Sequence, residues 1–189
     1  MSASDSKDKK RSSGPKSRRE FLKLTGCAAA AAVRAWVDGI WDGEKDPSTI
    51  KLALVGCGGR GTGAVADVFS TNGGTVKLVA MADLFEHRLQ GSLKRLAGAF
   101  KDKVDVPPER QFVGFDAYKK AIDCLGPGDV VLLTTHAAFR PMMFEHAVAK
   151  GVNVFMEKSF ATDSPNTRRL LKAAEASEKK NLKVGVGFM

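Results

Sequence analysis

Residues 54–63 read LVGCGGRGTG, five glycines in ten positions where the apolar run IKLALV ends. Gly56, Gly58 and Gly61 satisfy G-x-G-x-x-G between a predicted strand and a predicted helix, and Asp83 ends the next apolar run about 20 residues on. In that context Gly56 makes a tight turn, Gly58 leaves the backbone bare for a pyrophosphate, and Gly61 lets the helix pack closely on the strand. The helix N-terminus near Gly61 offers unpaired N–H groups and a partial positive charge to phosphates, and Arg60 adds a cation beside it. The run lacks the G-K-[ST] ending of a triphosphate-binding loop. Asp83 favours NAD, because a carboxylate pairs with the ribose 2′-OH and repels a 2′-phosphate; Arg88, a few residues later, keeps NADP open. The bland alternatives are a glycine-rich turn without a ligand and an aspartate that only caps a strand end.

Outward from the turn, short β-rich runs alternate with segments of helical period. Strands are expected at IKLALVG, TVKLVAMAD, DVVLLTT, VNVFME and LKVGVGF, with a further short one at QFVGF; helices are expected near residues 61–70, 87–100, 118–124, 141–150 and 164–180. The strands are apolar on both faces and so need cover on both, which predicts an α/β, doubly wound parallel sheet, the Rossmann fold, in the order 3-2-1-4-5-6. A chain of 189 residues suits one such domain with a tail. The division expected is 1–49 as signal region and linker and 50–189 as the dinucleotide-binding domain.

The formal charge of +9 is concentrated early: up to Arg34 there are nine basic residues against three acidic ones. A basic tail with no aromatics beyond Phe21 and no periodic helix face does not fit nucleic-acid recognition. SRREFLK at residues 17–23, followed by the small apolar stretch LTGCAAAAAV, instead has the order of an export signal. It resembles the twin-arginine translocation signal at every position of its seven-residue pattern. That resemblance implies the twin-arginine translocase as a partner and a periplasmic or exported destination, with the cytoplasm as the alternative if the signal fails, since Arg34 interrupts the apolar run. Cys27 sits where a lipoprotein cysteine would, but almost no apolar stretch precedes it. The three cysteines, Cys27, Cys57 and Cys124, are widely spaced and suggest neither a disulfide framework nor a metal site. The body contains no apolar run approaching the roughly 18 residues of a membrane span.

GCGGRGTG, LVAMADLFEHRL, FVGFDAYKKAID, DVVLLTT with FRP, and GVNVFMEKSFATD occur in the order and at close to the spacing of the glucose-fructose oxidoreductase and inositol dehydrogenase family. From about Lys51 to Met189 the chain resembles the N-terminal half of that family, its exported bacterial members in particular. The resemblance implies an NAD(P)-dependent oxidoreductase acting on a sugar, cyclitol or related hydroxyl compound. It implies cofactor-binding roles for Thr135 and Glu157, and a catalytic role for Lys158, which in the family's Glu-Lys-Pro segment points at nicotinamide and substrate. A lysine at the carboxyl end of an apolar strand is reasonable chemistry on its own terms, since α/β sheets bind ligands in that crevice.

The chain departs from the pattern in three places. The family's proline is Ser159, and its Thr-Pro-Pro-His run appears as Thr135, His136, Ala137 and Ala138, with His136 out of register. A cis bond before serine costs roughly 3 kcal/mol, so Lys158 is expected at an altered angle. The third is the sequence stopping at Met189, where the family continues into a substrate domain; the expectation is therefore weak binding of NAD with little turnover. The competing expectation is a non-catalytic dinucleotide-binding or interaction module. His87 and His146 fall in helical segments and are expected on the surface or in packing.

Overall fold

A computed structural model describes residues 49–71 and 75–187. The basic segment, the export pattern with Arg18 and Arg19, Cys27 and Met189 lie outside the described residues. The elements are β1 (Ile50–Val55), α1 (Gly59–Phe69), β2 (Val76–Asp83), α2 (Glu86–Ala99), β3 (Gln111–Val113), α3 (Ala117–Asp123), β4 (Val130–Leu133), α4 (Arg140–Lys150), β5 (Asn153–Glu157), α5 (Ser164–Lys179) and β6 (Val184–Gly187). Every strand pairing is parallel and the sheet runs β3-β2-β1-β4-β5-β6, the order expected from the sequence.

The period of two along β1 explains why both faces are covered. Leu52 and Leu54 point into a cluster with Val65 and Val68 of α1 and Leu89 and Leu96 of α2. Ala53 and Val55 point the other way, into a cluster with Ile122 of α3, Phe144 and Val148 of α4, and Ala173 of α5. Burial of these side chains on both faces supplies the main drive for folding, at roughly 1.5–3 kcal/mol for each large apolar side chain. Strand order reverses between β1 and β4, and in sheets of this kind that is where a crevice opens at the carboxyl ends.

Local signals set the helix ends. Pro141 lies in the first turn of α4, where its missing N–H costs nothing, and Gly151 closes that helix with φ 81°. At α5 the Asp163 carboxylate accepts the Asn166 N–H at 2.8 Å, and this bond, with further hydrogen bonds, holds its pKa below the ordinary carboxylate value. Helix α1 is different. Its N-cap is Gly58, and no side chain among the described residues caps it.

Candidate functional site

The carboxyl ends of β1, β2 and β4 open into a cavity of about 430 Å³. Gly56, Gly58, Asp83 and Thr135, four of the positions singled out in the sequence, line it together. Gly56 has φ +99°, and a Cβ there would lie 2.8 Å from the Thr135 nitrogen, so the turn admits only glycine. A Cβ on Gly61 would run into the Gly56 carbonyl oxygen and come within 2.6 Å of Thr134 Oγ1. Gly58 has nothing within 4 Å of where a Cβ would stand, and its φ is an ordinary −72°. Fold constraints explain the first two glycines; at Gly58 the protein itself leaves open space.

Two side chains fix this turn from neighbouring strands. Thr134, the residue after β4, donates its hydroxyl to the Gly56 carbonyl at 2.6 Å. Asp83, ending β2, accepts the Cys57 N–H at 2.6 Å on Oδ2 and the Phe85 N–H at 2.9 Å on Oδ1. The Cys57 thiol is buried beside that carboxylate, and burial first, then the Asp83 charge, pushes its pKa far above the ordinary thiol value. Around the opening, Phe85, Phe115 and Phe139 line the cavity and remain exposed. The Arg88 guanidinium stacks on Phe85, 5.2 Å from the ring centroid.

The remaining predicted residues gather at the end of β5. The Glu157 carboxylate is buried against Gly187 and takes Arg60 Nε at 2.7 Å and a second guanidinium nitrogen at 2.6 Å. Arg60 and Glu157, 97 positions apart, are thus brought to each other, and neither is among the residues lining the cavity. Lys158 follows, exposed and likewise outside the cavity lining, with its N–H donated to the Gly187 carbonyl at 3.1 Å. The Lys158–Ser159 peptide bond is cis. The carbonyls of Glu157 and Ser159, on either side of this bond, both accept from Arg140.

Arg140 is the residue that sequence reading missed. It sits at the start of α4 with only 2% of its surface exposed. One guanidinium nitrogen donates to the carbonyls of Glu157 and Ser159, and the other donates to the carbonyl of Thr135. Its Nε is buried with no hydrogen-bond partner among the described residues. Burial lowers its pKa while the Glu157 charge works in the opposite direction. Of the histidines, His136 lines the cavity and accepts the Ala138 N–H at 3.3 Å, His87 is exposed beside Phe85, and His146 meets Asp123 at 3.1 Å on the helical surface.

The fold is shared with solved NAD-binding dehydrogenases. Myo-inositol 2-dehydrogenase from Lactobacillus plantarum matches with a TM-score of 0.56 at 25% identity, over 74% of this chain and 36% of its own. Scyllo-inositol dehydrogenase from Lactobacillus casei, solved with NAD(H) and scyllo-inositol, gives 0.56 at 22% identity over 74% of this chain and 36% of its own. The WlbA dehydrogenase from Bordetella pertussis, in complex with NADH and UDP-GlcNAcA, gives 0.53 at 22% over 75% and 36%. The chain therefore spans about a third of the length of the solved structures it matches. No protein-family model and no curated protein matches it.

Proposed function

We propose that this chain is the dinucleotide-binding part of an NAD-dependent oxidoreductase of the glucose-fructose oxidoreductase and inositol dehydrogenase type, acting on a sugar, cyclitol or related hydroxyl compound. The observation that carries the reading is Gly58, bare for no reason internal to the fold, at the uncapped start of α1 and on the wall of a 430 Å³ cavity. That volume falls in the range of small-molecule and cofactor sites.

In this reading the first-turn N–H groups of α1 hold the pyrophosphate, with the helix dipole favouring its charge. Asp83 accepts from a ribose hydroxyl: its two present hydrogen bonds leave acceptor capacity, since a carboxylate offers about four lone-pair sites. The exposed phenylalanines and the Arg88–Phe85 stack offer flat surfaces to the adenine. Lys158 donates to a substrate oxygen and moves a proton at Nζ. When bound, NAD supplies the hydride acceptor. Arg60, committed to Glu157, contributes its charge from the side.

Export by the twin-arginine route is part of the proposal and rests on SRREFLK alone. Replacing Arg18 and Arg19 by lysine is expected to retain a fused reporter in the cytoplasm; unchanged export removes that part. Calorimetry of the chain with NAD and NADP tests the core of the reading. Binding of NAD in preference to NADP is expected, and binding of neither overturns it.

A further inference from the structure

Lys158 is exposed at a strand end, and an exposed lysine side chain by itself explores many rotamers. What is fixed is the main chain on either side of it. The carbonyls of Glu157 and Ser159 flank Lys158, and both accept from the same guanidinium nitrogen of Arg140. The other nitrogen reaches the Thr135 carbonyl, in the loop after β4. One buried side chain thus ties together two loops, one carrying the cavity wall at Thr135 and one carrying Lys158.

Lys158 N–H and Glu157 turn toward Gly187 and Arg60, on the β6 and α1 side. A buried cation is expensive unless its donors are satisfied, and here the two terminal guanidinium nitrogens go to backbone carbonyls while Nε has no partner among the described residues. Lysine in its place carries the charge but not the planar fork that spans three carbonyls.

We propose that Arg140 is a positioning residue for Lys158, setting where its amine stands relative to the cavity by gripping the carbonyls of Glu157, Ser159 and Thr135. The proposal rests on the oxidoreductase reading for its chemical meaning but not for its test.

The test uses the 189-residue chain with its lysines reductively ¹³C-dimethylated, the Lys158 methyl signal being assigned by its loss in Lys158→Arg. Arg140→Lys is expected to move and broaden the Lys158 signal and to abolish its response to added NAD. The Lys119 signal, from a residue that lines the cavity as Lys158 does not, should still respond. Arg169→Ala, which removes an exposed ion pair with Glu145, serves as the control for general destabilisation and is expected to leave the Lys158 signal in place. Should Arg140→Lys not fold, Arg140→Gln takes its place, offering two N–H donors without the charge. An unchanged Lys158 signal in a folded Arg140 variant overturns the proposal, as does an equal change in the Arg169→Ala control. If the unsubstituted chain binds no NAD, the oxidoreductase reading falls, yet the comparison of Lys158 signals without cofactor still decides the role of Arg140.

Discussion

Asp83 reaches back across the strand ends to take the Cys57 N–H at 2.6 Å, so the residue read as a cofactor carboxylate also holds the glycine turn itself. Both functions would be lost in an alanine variant, and separating them decides what Asp83 does.

Asp83→Asn keeps an oxygen acceptor for one of the two N–H groups and removes the charge. It is expected to leave the melting temperature within a few degrees and to erase the preference for NAD over NADP in calorimetry. Asp83→Ala should lower stability as well, by about 1–3 kcal/mol, because a part-buried N–H is left unpaired. An Asn variant that keeps its preference for NAD would leave Asp83 as a strand-end brace only.

Two glycines three residues apart should respond in opposite ways. Gly61→Ala forces a methyl group into the Gly56 carbonyl and is expected to destabilise by about 1–3 kcal/mol or more in chemical denaturation. Gly58→Ala meets no protein atom within 4 Å, so its stability should be within about 1 kcal/mol of the original, while NAD affinity falls at least tenfold. Retained affinity in Gly58→Ala would mean that nothing approaches the chain there.

Removing Arg60 leaves the Glu157 carboxylate buried without its guanidinium partner. Arg60→Ala is expected to cost about 1–3 kcal/mol, less than for a fully buried pair because the arginine is a third exposed. The double variant with Glu157→Gln should recover part of that loss. A double-mutant cycle with no coupling would show the pair to be energetically idle.

The Asp163 cap gives a dependence on acid with a defined sign. Its folded pKa is depressed, chiefly by the Asn166 N–H, so the stabilisation is complete above the unfolded carboxylate value and disappears as pH falls through the folded one. Stability curves of the original chain and Asp163→Ala should therefore run apart above about pH 5 and converge below about pH 4. Parallel curves through that range would remove the charge from the explanation.

The architecture was legible because it is written in periodicities: two along the strands, near 3.6 along the helices, and glycines where the first strand hands over to a helix. Helix ends came within two residues, α1 starting at Gly59 and not Gly61. The geometry at β5 was not legible. Arg140 stands in the quoted FRP segment, yet its acceptors are three backbone carbonyls, and a carbonyl has no letter of its own. The Arg60–Glu157 pair joins residues 97 apart, a distance at which no local pattern operates. Thr135 was singled out through the family's Thr-Pro-Pro-His run, and nothing in that run indicates that the hydroxyl of Thr134 is the one that meets the turn.

The sixth strand reads VGVG, and by strand propensity a glycine at its end looks like a weakness. Gly187 is occupied territory: the space a methyl group would take there is already filled by the Glu157 carboxylate, with the Phe155 ring 3.0 Å away. A strand's composition can thus be dictated by an acid on its neighbour. Valine at 187, an improvement by any propensity scale, would evict a charge from its berth and pull on Arg60 and the start of α1 with it.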